Sequence, residues 1–168
     1  MKNNKNTSDS KREKYWNEDY VRYWMERVGE ANNENVSVSK IIKGDSITST
    51  DQSCINAITL LKINKTDQVI EIACGFGRSL PMLCQAAKHV TAIDISNEMI
   101  KIAQDCTNDK NICFYVYPSE DLPFPDQVYD VVVCFAAFDA MYQTEALIEM
   151  NRICKEGARV LITGKNNN

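Results

Sequence analysis

The sequence predicts a doubly wound α/β domain, a mostly parallel sheet with helices packed on both faces. Three features of the 168-residue chain carry that reading. Short apolar runs alternate with stretches of helical period between Gln68 and Thr163. The runs are continuously apolar rather than alternating (VIEI, VTAI, VVVCF, VLIT), as befits strands covered on both sides. The first run places an acid, Glu71, near its end and breaks into Ala73-Cys74-Gly75-Phe76-Gly77, a loop too small to fill space.

The elements follow in order. Met1 to Lys14 is polar and rich in Asn and Lys, and reads as a disordered tail. From Tyr15 to Val28 the aromatic residues Trp16, Tyr20, Tyr23 and Trp24 recur at helical spacing, so an extra N-terminal helix is expected. Ala31 to Ser49 has no clear period and reads as a loop. Ser49 and Gln52 have the spacing of a capping box ahead of Cys54, Ile55, Ile58 and Leu61, which starts a second helix. Strands are expected at Gln68–Ile72, Val90–Asp94, Ile112–Tyr117, Asp130–Phe135 and Ala158–Thr163. The helices between them fall near Arg78–Ala87, Asn97–Cys106 and Glu145–Lys155. Three segments result: a tail over residues 1–14, a helical or lid segment over 15–64, and the α/β domain over 65–168.

Composition excludes several function classes. A net charge of −4 gives no general attraction to nucleic acid or to an anionic membrane. No stretch is long and apolar enough to span a bilayer, and the first residues lack a signal-peptide core, so a cytoplasmic location is expected. The seven cysteines form no CxxC pair and have only His89 for company, which argues against a metal site and for reduced, mostly buried thiols.

In a doubly wound sheet the ligand lies beyond the carboxyl ends of the strands, where strand order reverses. Glu71 and the loop of small residues sit there. A dinucleotide fingerprint needs small residues at its first, third and sixth positions. Counted from Ala73 the sixth is Arg78, a long side chain where helix and strand must pack closely. The small residues instead fall at 73, 75 and 77. Glu71 would also set a negative charge near a pyrophosphate, whereas it suits a ligand bearing an ammonium or sulfonium. Asp94 ends the second strand, where an acid accepts hydrogen bonds from both ribose hydroxyls. Together these residues favour S-adenosylmethionine.

The stretches VIEIACGFGR, VTAIDISNEMIKIAQ, PSEDLPFPDQVYDVVVCF and EMNRICKEGARVLITG, in this order, resemble the class I S-adenosylmethionine-dependent methyltransferases of the small-molecule group. The resemblance implies a Rossmann-like sheet ordered 3-2-1-4-5 and methyl transfer to a small-molecule acceptor. It implies that Glu71 reaches the methionine amino group. Ala73, Cys74, Gly75 and Gly77 would lie along the methionine and ribose, and Asp94 would hold the ribose. Ile95 and Met99 would flank the adenine, Ser119 and Glu120 would meet its edge, and Phe135 would sit near the transferable methyl. Asp139, beyond the fourth strand, is either a base or a cap for the next helix. Ala73 replaces the first glycine of the family motif, a mild change where φ is negative. Pro118 departs from the family pattern at the adenine edge, and Glu156 and Ala158 depart at the turn before the fifth strand. Family members continue into an antiparallel strand pair, so the domain is expected to be C-terminally incomplete, with an exposed fifth-strand edge prone to self-association. The alternatives are a non-catalytic cofactor-binding module and, disfavoured by Glu71 and Arg78, an NAD-dependent oxidoreductase.

Overall fold

The computed structural model describes residues 10–23, 25, 26 and 49–164. The expected loop over 31–48, tail residues 1–9, and Trp24 and Val28 of the aromatic stripe lie outside the described residues.

Five strands form one sheet: β1 (Gln68–Ile72), β2 (His89–Asp94), β3 (Ile112–Val116), β4 (Tyr129–Cys134) and β5 (Cys154–Ile162). Their order is β3-β2-β1-β4-β5 and every pairing is parallel. The four main helices are α1 (Ser49–Leu61), α2 (Leu80–Ala86), α3 (Asn97–Cys106) and α4 (Gln143–Ile153). Side chains alternate across each strand, and both faces of β1, β2 and β4 are buried, while the edge strands β3 and β5 are partly exposed. Val69, Val90, Ala92, Val131 and Val133 pack with Leu61 of α1, Leu80 and Leu83 of α2, and Ile100 and Ala103 of α3. Ile70, Ile72, Ile93, Val132 and Cys134 pack on the opposite face with Ala146, Met150 and Ile153 of α4. The expected doubly wound architecture is therefore the observed one, and strand order reverses beside β1.

Most element ends fall within two residues of the sequence reading, and three features depart from it further, each for a local reason. Residues 10–14 are already helical, and the N-terminal helix runs through 10–23 with a π-helical turn at Tyr15–Asp19. Arg12 ties this first turn to Glu120, so a stretch of tail composition is held against the domain. β5 begins at Cys154, directly after α4, and shifts register between Tyr129 and Val131 of its partner strand, with Gly157 at φ +75° inside the irregular stretch. The expected turn at 156–158 is thus a bulge, steadied by Lys155 donating to both oxygens of Asp130 at 2.9 Å. A 3₁₀ turn, Phe138–Ala140, follows β4 without a sequence signal. No helix among the described residues is long and apolar enough to cross a membrane.

Candidate functional site

The loop between β1 and α2 builds the floor of the site. Cys74 N–H donates to Ile93 O at 2.9 Å, which stitches the loop to β2. The backbone then turns left-handed at every second residue: Ala73 (φ +58°), Gly75 (φ +55°) and Gly77 (φ +85°). Every-other spacing of small residues is what such a path needs. The two glycines serve different neighbours. A Cβ on Gly75 would meet nothing within 4 Å, so its bare backbone faces open space that a ligand can enter. A Cβ on Gly77 would lie 2.8 Å from Leu80 Cδ1 and 3.1 Å from Ala103 Cβ, so this glycine lets α3 close on the loop.

Ala73 corrects the sequence reading. Its φ is positive, so replacing the first glycine of the motif is not a mild change. A left-handed L-residue costs about 1–2 kcal/mol, and glycine returns about 0.4–1 kcal/mol of that to unfolded-chain entropy. Ala73→Gly is expected to stabilise the fold by about 0.5–1 kcal/mol in urea denaturation; a loss of stability would mean that this backbone angle is not strained.

Two carboxylates are buried at the strand ends. Glu71 is 2% exposed and Asp94 is 8% exposed. Asp94 is held by backbone amides: Gly75 N–H donates to Oδ2 at 2.9 Å and Ser96 N–H to Oδ1 at 2.8 Å. Burial raises its carboxyl, and the amides of Ser96, Gly75 and Ile95 oppose that shift. Glu71 is less well served. Its Oε1 accepts from Ser79 Oγ at 2.5 Å, while Oε2 is buried without a partner among the described residues. Burial pushes the Glu71 carboxyl up to about 8, the Ser79 hydroxyl opposing and the Asp94 charge adding to the shift. Burial likewise pushes the Cys74 thiol well above its usual range and keeps it neutral.

The N-terminal helix forms the cover. Both terminal nitrogens of Arg12 donate to the Glu120 carboxylate at 2.8 Å, and the guanidinium lies 4.6 Å from the Tyr142 ring centre. Burial raises the Glu120 carboxyl, but the bonds from Arg12 and from Tyr142 N–H at 2.8 Å outweigh it and hold the group below its usual range. Four residues beyond Arg12, Trp16 stacks edge-on with Tyr20 at 4.6 Å. Ser96 Oγ contacts Trp16 O at 3.2 Å and Asn17 Oδ1 at 3.1 Å, and Glu98 N–H donates to the same Asn17 oxygen at 3.3 Å. The cover is therefore latched onto the first turn of α3.

Between floor and cover lies a cavity of about 360 Å³. Glu71, Ala73, Cys74, Gly75, Asp94, Ile95, Met99, Ser119, Glu120 and Phe135 all line it. Gly77 is not among the lining residues, and neither is Asp139, which is exposed in the 3₁₀ turn. Sequence reasoning did not select Arg12, Ser79, Tyr117 or Met141, which also line the cavity. Arg78, used above only to argue against a dinucleotide fingerprint, lines it too. Among the described residues no group of three or more His, Cys, Asp or Glu is placed to hold a metal ion.

A parallel sheet ordered 3-2-1-4-5, with a left-handed loop after β1 and an acid at the tip of β2, defines a Rossmann-like domain. Comparison with known proteins narrows the class. A family model described as "Methyltransferase domain" matches residues 70–162, more than half of the chain, and the chain belongs to that family. It is 32% identical over 113 residues to the ubiquinone/menaquinone biosynthesis C-methyltransferase UbiE of Ectopseudomonas mendocina, covering 62% of this chain and 44% of the relative. It is 36% identical over 104 residues to the UbiE protein of Burkholderia mallei, covering 56% and 42%. The chain thus spans less than half the length of these curated relatives. A crystal structure of a SAM-dependent methyltransferase from Aquifex aeolicus superposes with a TM-score of 0.65 at 20% identity, over 79% of this chain and 78% of that one. At that identity the likeness speaks for the fold.

Proposed function

We propose that this chain binds S-adenosylmethionine in the cavity and transfers its methyl group to a small-molecule acceptor. The observation that carries the proposal is the buried Oε2 of Glu71, unpartnered among the described residues, in a cavity that Gly75 and Asp94 also line. A buried carboxylate oxygen without a partner is costly unless a cationic donor reaches it. The amino group of the cofactor fits that vacancy in hydrogen bonding, and its ribose hydroxyls fit the remaining lone pairs of Asp94. The cofactor supplies an electrophilic methyl on a sulfonium. The chain supplies alignment: Glu71 and Asp94 fix the two ends, while Phe135, Met99 and Trp16 exclude water from the space between them.

Asp139, exposed outside the lining, belongs on the acceptor side in this reading and takes no part in holding the cofactor. The names of the UbiE relatives describe carbon methylation in quinone biosynthesis, which supports a small-molecule acceptor here without fixing which one. The test is a thermal-shift comparison. S-adenosylmethionine or S-adenosylhomocysteine at a hundred times Kd is expected to stabilise the fold by about 2.7 kcal/mol, and NAD to do nothing. Equal stabilisation by NAD would place a pyrophosphate beside Glu71 and contradict the proposal.

A further inference from the structure

We infer that Ser79 is a positioning residue for cofactor binding: its hydroxyl fixes the Glu71 carboxylate so that the open oxygen faces the ligand's ammonium group. The inference rests on the cofactor reading above and adds a residue to it.

Ser79 stands at the N-cap of α2, yet its side chain makes no cap bond. A capping hydroxyl accepts from the amide of the second or third helical residue. Here the second helical residue is Pro81, which has no N–H to give. The third, Met82, donates its N–H to the Ser79 carbonyl at 3.1 Å, and Leu83 does the same at 3.1 Å. The first turn of α2 therefore leaves the hydroxyl uncommitted, and it donates to Glu71 Oε1 at 2.5 Å instead. Both residues are buried, Ser79 at 4% exposure, and both line the cavity. No other side chain hydrogen-bonds the Glu71 carboxylate among the described residues, and Oε2 is left unpartnered. With Oε1 engaged, rotation of the carboxylate is restricted and the unpartnered oxygen is held ready. A carboxylate fixed in advance binds an incoming cation without first losing rotamer freedom.

A merely structural serine would weaken every ligand of the cavity alike. A serine that aims Glu71 should matter only to ligands carrying the amino-acid part. The experiment is calorimetric titration of wild type, Ser79→Ala and Ser79→Thr with S-adenosylhomocysteine and with 5′-methylthioadenosine, a nucleoside thioether lacking the amino group. Ser79→Ala is expected to weaken S-adenosylhomocysteine about tenfold, the scale of a lost hydrogen bond to a charged group, and to leave methylthioadenosine unchanged. Ser79→Thr, which keeps the hydroxyl, should recover most of the loss. Should Ser79→Ala not fold, Ser79→Cys keeps the volume with a weaker donor and carries the same comparison. Equal weakening of both ligands, or none of either, overturns the inference while the cofactor reading stands. A wild-type protein that binds neither ligand overturns the cofactor reading and the inference with it.

Discussion

Gly77→Ala is expected to cost about 2–4 kcal/mol of stability. Two independent terms add, and the about 0.4–1 kcal/mol that alanine removes from unfolded-chain entropy offsets part of their sum. The residue sits at φ +85°, where an L side chain pays about 1–2 kcal/mol. The new methyl would also lie 2.8 Å from Leu80 Cδ1, 3.1 Å from Ala103 Cβ and 3.4 Å from Ala103 Cα. Leu80 is fully buried and has little room to turn away, and Ala103 presents helix backbone. Relief requires moving α3, and overpacking of this kind costs about 1–3 kcal/mol. Urea denaturation of the variant measures the sum. A loss under about 0.5 kcal/mol would mean that the loop takes another path and that Gly77 is not the contact between loop and α3.

Glu71→Gln is expected to change binding and stability in opposite directions. On the binding side, the amide offers no charge to the ligand's ammonium, so S-adenosylhomocysteine affinity should fall by about 1.5–3 kcal/mol, roughly ten- to hundredfold. On the stability side the sign follows from the raised carboxyl, which ionises at about 8 in the fold against 4.5 unfolded. Between those values the native state holds a proton that the unfolded chain has released, so stability falls as pH rises through that window. Glutamine lacks this term. The variant should therefore match wild type near pH 4 and exceed it above pH 8. Asp94 of β2, also raised, and the neutral thiols Cys74 and Cys134 face the same carboxylate, but all remain in both proteins and cancel in the comparison. Denaturation midpoints of the two proteins across pH test this; a constant difference would mean that Glu71 is ionised throughout.

What the sequence disclosed, and what it withheld, divides along the range of the forces involved. The strands and the helices over each face follow from continuous apolar runs such as VVVCF, a pattern set by burial and written locally. The strand order 3-2-1-4-5 is implied only by the family resemblance. Glu71 and Asp94 could be picked out because each interrupts or ends such a run. Arg12 could not, since it sits in a polar stretch and its meaning comes from Glu120, 108 residues away. Ala73 hid its positive φ because alanine, unlike glycine, does not advertise a left-handed turn. Gly77 reads as a glycine that admits a ligand, but the space it opens is taken by Ala103. Ser79 carries no signal of its own in the sequence, and only the missing amide of Pro81, seen with the Glu71 contact, shows the hydroxyl turned toward the cavity. The turn expected around Glu156 and Ala158 is a bulge within β5 rather than a turn before it, with Lys155 paired to Asp130 beside it.

The most direct test of the central claim, that a buried Glu71 receives the ammonium group of an S-adenosyl ligand, is a proton count. S-adenosylhomocysteine is titrated into wild-type protein at pH 7 in buffers of different ionisation enthalpy. A carboxyl that ionises at about 8 is mostly protonated at that pH and must give up its proton to meet a cation. Binding is expected with release approaching one proton per ligand, and with no such release from Glu71→Gln. Binding without proton release, or release that persists in Glu71→Gln, would contradict it.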